Sequence, residues 1–219
     1  PIARLLADLP APAPTPGERL RRELQALSDA IKANPNDIAA HERRAQLLDS
    51  SGQPDEAIAA FSQLIELQPG QLEHYYRRAA LLTRTKNHAA AISDYEAALK
   101  IDANSAIAAN NLAWLYATGP SDVRSLDKSL PLAKKAVELQ PNDPYSLNTL
   151  GVVYYRLGDF AKAAATLEAA AKANRDGATG FDLFFLAMSH QRLGEVAKAH
   201  EHFDKALDWW RHQKDLPAD

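Results

Sequence analysis

The chain has 219 residues, of which 46% are hydrophobic, and its 25 basic and 28 acidic side chains give a net charge of −3. This composition predicts a folded protein with a sizeable core and provides no basic field for nucleic acid. The absence of cysteine excludes disulfides, thiolate zinc sites and cysteine nucleophiles. No apolar run approaches the roughly 20 residues that cross a bilayer. We therefore expect a soluble protein that binds neither nucleic acid nor membrane, with the cytoplasm slightly favoured.

The amino-terminal residues predict a tail followed by a single helix. Prolines alternate with other residues between Pro10 and Pro16, which is typical of a semi-rigid linker, so residues 1–17 are predicted to be a tail or linker. A stripe of aliphatic residues at helical spacing follows, made of Leu20, Leu24, Leu27 and Ile31. It ends before Pro35, and we expect residues 18–34 to form a lone helix that caps a larger structure.

Small residues then recur at nearly constant spacing and define a repeated unit. One series consists of Ala45, Ala79, Ala113, Gly151 and Ala187, and a second consists of Ala57, Ala91, Ser129, Ala163 and Ala199. Consecutive members are 34 to 38 residues apart. Repetition at this period is typical of a helical solenoid, in which each unit packs mainly on its neighbours.

Five units of two helices each are predicted from this register. They cover about 38–71, 72–105, 106–143, 144–179 and 180–215, and residues 216–219 form a second tail. Gly52, Gly158 and Gly194 mark the turn between the two helices in three units, because glycine adopts positive φ most readily. The third unit is longer by four residues, which predicts a surface loop over 118–125.

The unit resembles the tetratricopeptide repeat. Small residues at positions 8 and 20, a large residue at position 24 in most units and proline at position 32 carry this resemblance, which covers about residues 18–211. It implies an all-α fold: a right-handed α-solenoid of helix–turn–helix repeats with an amino-terminal capping helix. The stretch from Phe181 to Trp210 is also similar to repeat regions of larger bacterial proteins of the planctomycete type.

The resemblance also implies a binding surface, because first-helix positions 2, 5, 9, 12 and 13 line the concave groove in this family. Here those positions are acidic toward the amino terminus and rich in aromatic residues and arginine toward the carboxyl terminus. The predicted partner-binding residues are Tyr76, Arg84, Asn110, Trp114, Tyr145, Asn148, Tyr155, Arg156, Phe181, Phe184, Met188 and Arg192. Aromatic and arginine side chains are common anchors of interfaces, and the arginines predict an acidic, apolar ligand. The alternative for Trp114, Phe184 and Phe185 is packing between adjacent first helices.

No catalytic, cofactor or metal site is indicated. The closely spaced His200 and His202 are offset by about 200° on a helix and cannot face one metal ion well. The sequence has no glycine-rich phosphate loop, nucleophile elbow or metal-binding helix motif. The family's clamp for acidic carboxyl-terminal peptides needs lysine and asparagine where this chain has Glu42 and Gln46, so that ligand is disfavoured.

The leading hypothesis is a non-catalytic scaffold that binds a protein or peptide partner in the groove. One alternative is a structural module that self-associates into a homo-oligomer. Another is a regulatory repeat domain of a larger enzyme. The sequence alone does not distinguish these three hypotheses, and it names no partner.

Overall fold

A computed structural model describes residues 13–175 and 177–214, and within these ranges the chain forms eleven α-helices and no strand. The helices are α1 (Pro16–Ala33), α2 (Ile38–Ser50), α3 (Pro54–Leu67), α4 (Leu72–Arg84), α5 (His88–Ile101), α6 (Ala106–Thr118), α7 (Leu126–Leu139), α8 (Pro144–Leu157), α9 (Phe160–Ala173), α10 (Gly180–Arg192) and α11 (Val196–Lys214). In the described ranges, no helix is both long enough and apolar enough to cross a membrane. The chain divides into two compact units, Pro1–Leu81 and Leu82–Asp219.

In the first compact unit, α1 begins two residues before the predicted start at residue 18. Thr15 caps this helix: its Oγ1 accepts a hydrogen bond from the Glu18 backbone N–H (3.2 Å), and the Glu18 carboxylate accepts one from the Thr15 backbone N–H (2.8 Å). Pro16 fits the first helical position, where no N–H is needed. The predicted linker is therefore too long at this end, and its residues 1–12 lie outside the described residues, as does the predicted tail at 216–219.

The core of the first compact unit lies between α2, α3 and α4. Its buried members are Ala45, Leu48, Ala57, Ala60, Phe61, Leu64 and Leu81. Leu24 of α1 packs against this core, and the whole aliphatic stripe of α1 is half-buried. Ala45 and Ala57 have no exposed surface, so α2 and α3 lie close together at these positions.

In the second compact unit, the same small-residue positions are buried between successive helix pairs. Ser129 replaces alanine at one of them, and its hydroxyl donates a hydrogen bond to the Ala113 carbonyl oxygen (2.7 Å). A Cβ atom added at Gly151 would lie 2.6 Å from Leu167 Cγ, so this position requires glycine. The serine and the glycine thus preserve the close helix approach that alanine gives elsewhere.

The turns between paired helices use a left-handed residue in four repeats. Gly52, Gly158 and Gly194 have φ values of 74°, 84° and 78°, which confirms the prediction for these glycines. Lys86 has a φ of 63° at the corresponding place between α4 and α5. A lysine gives no sequence signal for this conformation, because side chains rarely adopt positive φ.

The longer third unit connects α6 to α7 through an ordered loop. Gly119 is buried at its start, where an added Cβ would lie 2.8 Å from Val123 Cγ2. The Arg124 side chain donates to the Gly119 carbonyl oxygen (3.0 Å), and the Ser125 N–H donates to the Tyr116 carbonyl oxygen (2.9 Å). The loop is therefore held by its own contacts.

Candidate functional site

A cavity of about 280 Å³ lies in the second compact unit among the first helices of three successive repeats. We call it the Trp114 cavity. It is lined by Trp114, Pro144, Tyr145, Asn148, Asn174, Thr179, Phe181, Asp182 and Trp209. Four of these nine residues are aromatic, and α6, α8, α10 and α11 each contribute one of them.

Local helix starts place the aromatic residues. Tyr145 follows Pro144, the first residue of α8, and is 73% exposed. Phe181 follows Gly180, the first residue of α10, and is 64% exposed. A side chain at position 180 would collide with the Trp209 ring, so the glycine allows Trp209 to pack against the start of α10.

A buried carboxylate provides the charge of the Trp114 cavity. Asp182 is only 4% exposed. Its Oδ2 accepts hydrogen bonds from the Thr179 N–H (2.8 Å) and hydroxyl (2.6 Å), and its Oδ1 accepts one from Asn148 Nδ2 (2.6 Å). Its place in the first turn of α10 favours the negative charge. Asp182 forms no ion pair with the described residues.

Four of the predicted partner-binding residues come together in this cavity: Trp114, Tyr145, Asn148 and Phe181. Asn110 lies in a neighbouring cavity that Tyr145 also lines. Arg84 and Arg156 are exposed and do not line the Trp114 cavity. Tyr76 is half-buried and belongs to the first compact unit.

Three other predicted residues line a separate cavity toward the end of the chain. Tyr155, Met188 and Arg192 lie there together with Phe203. The Tyr155 ring packs edge-on against Phe160 and against Phe185, at centroid distances of 5.5 and 5.4 Å. These contacts give Tyr155 a place in internal packing.

Two predicted residues already have aromatic partners within the chain. The Arg192 guanidinium lies 4.7 Å from the Phe160 ring centroid, and Phe184 packs edge-on against Phe203 at 6.0 Å. Stacking on a ring is a favourable environment for a guanidinium group. Arg192 therefore has a structural contact, and it does not line the Trp114 cavity.

Sequence reasoning did not assign Asp182, Thr179 or Trp209 to a site. A signal for Asp182 exists, because Thr179 and Asp182 have the spacing of a capping box. The sequence places Trp209 only within the last predicted unit. Its place in the cavity depends on how α11 packs against α10, which local sequence does not reveal.

A buried histidine, His190, and a half-buried one, His202, lie near the end of the second compact unit. His190 and His202 stack with nearly parallel rings, 5.2 Å apart, and His190 Nδ1 lies 2.8 Å from a Glu195 carboxylate oxygen. Burial, and then the proximity of His190, lowers the pKa of His202. Among the described residues, no group of three or more histidine or carboxylate side chains is arranged to hold a metal ion.

Comparison with known proteins agrees with this geometry. A tetratricopeptide repeat model matches residues 19–71 and 42–106, and a model described as anaphase-promoting complex, cyclosome, subunit 3 matches residues 122–206. MamA 41-end from Desulfovibrio magneticus RS-1 has a similar fold, with a TM-score of 0.68 and 18% identity over 82% of this chain and 97% of that one. YrrB, a TPR protein described as having an unusual peptide-binding site, also has a similar fold. Its TM-score is 0.64 and its sequence identity is 21%, over 88% of this chain and 100% of that one.

A curated relative also matches part of the chain. The photosystem I assembly protein Ycf3 of Synechococcus sp. (strain CC9605) is 30% identical over 91 residues, which are 40% of this chain and 50% of that protein. The chain thus spans about half the length of this relative. The fold is an all-α helical-repeat solenoid, and this class of protein mediates protein–protein interaction. The chain belongs to the tetratricopeptide repeat family.

Proposed function

We propose that the chain is a non-catalytic scaffold that binds a peptide or a segment of a partner protein on the surface formed by α6, α8 and α10. The observation that carries this proposal is the exposure of Tyr145 and Phe181 at the mouth of the Trp114 cavity. Large, solvent-exposed aromatic side chains beside an aromatic cavity are typical of interaction sites. Burial of these side chains against a ligand provides the affinity.

The extent of the surface follows from the neighbouring contacts. Asn110 and Tyr145 line the cavity beside the Trp114 cavity, so a bound segment that crosses α8 contacts both cavities. Asn148 is held by its hydrogen bond to Asp182 and has a defined orientation before any ligand binds. A preorganised polar group of this kind loses little entropy on binding. We also include Met188 in the proposed binding surface, because it occupies a first-helix position that lines the groove in this family.

Selection of peptides from a random display library against the intact chain tests this proposal. Selected peptides should lose about tenfold or more in affinity for a Tyr145→Ala, Phe181→Ala variant. The control carries Ile101→Ala and Leu157→Ala, which remove two apolar side chains that are 42% and 43% exposed and lie outside the Trp114 cavity. Peptides that bind both variants and the original chain equally would disprove the proposed site.

Self-association is the second candidate, and one observation favours it. Position 24 of the repeat is buried at Phe61, Tyr95, Ala133 and Leu167, whereas Phe203 of α11 is 45% exposed. Val196 and Trp210, each seven residues from Phe203, are also about half exposed. A stripe at this spacing suits packing against another helix. Light scattering across a range of concentrations should then show an oligomer that a Val196→Ser, Phe203→Ser variant lacks.

A further inference from the structure

The Trp114 cavity combines aromatic walls with one buried negative charge. Trp114, Tyr145, Phe181 and Trp209 form its aromatic part, and Asp182 is the only charged residue among the nine that line it. The face of an aromatic ring attracts cations, most strongly where water is excluded. A cation that enters this cavity meets aromatic rings and a carboxylate, whereas an anion meets a charge of its own sign.

The hydrogen bonds of Asp182 restrict the kind of cation. An ionised carboxylate has about four acceptor positions. Thr179 occupies two at Oδ2 and Asn148 occupies one at Oδ1, so one position remains. A guanidinium group that binds a carboxylate through two parallel hydrogen bonds needs a free position on each oxygen. A single-point ammonium group needs only one.

We propose that the Trp114 cavity receives a lysine side chain of the bound partner segment. The ammonium group lies near Asp182 Oδ1, and the four-carbon stem lies against the aromatic rings, which lysine stems commonly do on apolar surfaces. This inference rests on the proposed function, because it names the partner chemistry of the same site. It differs from the acidic ligand that the arginines suggested, since neither Arg156 nor Arg192 lines this cavity.

Three peptides that differ at one position test the charge preference. They are acetyl-Ala-Leu-X-Leu-Ala-amide with lysine, norleucine or glutamate at X. Fluorescence of Trp114 and Trp209 reports binding at the cavity, and a Trp210→Phe background removes the third tryptophan of the chain. We expect the lysine peptide to bind about tenfold more tightly than the norleucine peptide, and the glutamate peptide to bind most weakly.

Asp182→Asn should remove this preference, because the amide keeps the shape of the side chain without its charge. Asp37→Asn is the matched control: Asp37 caps α2, accepts a hydrogen bond from the Ala40 N–H (3.0 Å) and lines neither the Trp114 cavity nor the cavity beside it. The control should keep the lysine preference. Circular dichroism confirms that each variant folds. Tyr145→Ala changes the same cavity but leaves intact the Thr179–Asp182 hydrogen bonds that cap α10.

The outcomes separate the two proposals. Equal binding of the lysine and norleucine peptides, lost in Tyr145→Ala, would overturn the lysine inference and support the proposed function. Tightest binding of the glutamate peptide would also overturn the lysine inference. If neither the display-selected peptides nor the lysine peptide depends on Tyr145 and Phe181, the proposed function fails as well.

Discussion

At the residue scale, Lys86 shows how a repeat tolerates a departure from its preferred residue. Its φ of 63° lies in the region that glycine adopts at the same turn in other repeats. A side chain in this conformation costs roughly 1–2 kcal/mol. The backbone hydrogen bonds from the Lys86 and Asn87 N–H groups to the carbonyl oxygens of Thr83 and Leu82 maintain the turn.

Lys86→Gly should therefore stabilise the protein. We expect a gain of about 0.5–1 kcal/mol in the free energy of unfolding, since glycine relieves the strain but has more freedom in the unfolded chain. Urea unfolding followed by circular dichroism measures it. Lys86→Ala keeps the Cβ atom and should give no such gain, so an equal gain from both variants would argue against backbone strain.

Gly151 differs from the turn glycines, because its close packing against Leu167 and not its φ excludes a side chain. An added Cβ would lie 2.6 Å from Leu167 Cγ. Gly151→Ala should lower the free energy of unfolding by about 1–3 kcal/mol through overpacking, despite the better helix propensity of alanine. Thermal melting measures the loss. The loss should be smaller when Gly151→Ala is introduced into a Leu167→Ala background, and a stabilised Gly151→Ala would contradict the packing.

At the element scale, each helix of a pair has one face that packs against the neighbouring helices. In α9, Ala163 is fully buried and Ala165 is exposed, although they are two residues apart. The buried face of this helix also carries Leu167, which packs in a cluster with Leu186 of α10. Helix faces of this kind explain why one unit supports the next.

The two alanines give a paired test of the register of α9. Ala163→Leu should destabilise the protein by about 1–3 kcal/mol, because three additional carbons must fit into a filled space. Ala165→Leu should change the stability by less than about 0.5 kcal/mol, as surface substitutions usually do. Differential scanning calorimetry compares them. Identical melting temperatures would show that the assigned faces are wrong.

At the scale of the whole molecule, buried titratable groups make stability depend on pH on the acid side. Burial lowers the pKa of His74 and of His202. Below about pH 6.5 the unfolded chain therefore binds protons more readily than the folded one, and stability falls as the pH falls. Among the groups near His202, His190 and Lys205 oppose its protonation and Glu168 and Glu201 favour it, and burial is the largest cause of the lowered pKa.

His202→Gln should reduce the loss of stability between pH 7 and pH 5. Urea unfolding at several pH values measures the slope. His212→Gln is the control, because His212 is exposed on the same helix. We expect the control to retain the original slope, and an equal effect of both substitutions would show that burial of His202 is not the cause.

The raised pKa of Tyr116 predicts a second loss of stability, at alkaline pH. Burial, together with its hydrogen bond to Glu96 (2.9 Å), raises the pKa of Tyr116 to about 12. Between pH 10 and pH 12 the unfolded chain loses this proton first, so the folded state should lose about 2 kcal/mol relative to a Tyr116→Phe variant. Unfolding of both proteins at pH 9 and pH 11.5 checks this. A constant difference between them would contradict it.

The candidate site was only partly predictable from sequence. Trp114, Tyr145, Asn148 and Phe181 were found because first-helix positions of a repeat face one surface. The pairing of Asp182 with Asn148 and the approach of Trp209 were not found, because each joins residues 27 or more positions apart in the chain. The division into five units and the partner-binding role of every predicted residue stay predictions.

The sequence by itself determined the all-α repeat fold. Close helix packing requires small residues, and their regular spacing is visible along the chain. It also indicated the glycine turns, since positive φ selects glycine. Only the tertiary structure decided which side chains share a cavity and which are engaged in packing. Arg192 contacts Phe160, and Asp182 lies among aromatic rings, through the packing of separate helices. The charge of the proposed binding site depends on such contacts, so the proposed preference for a cation follows from the fold and not from the order of residues.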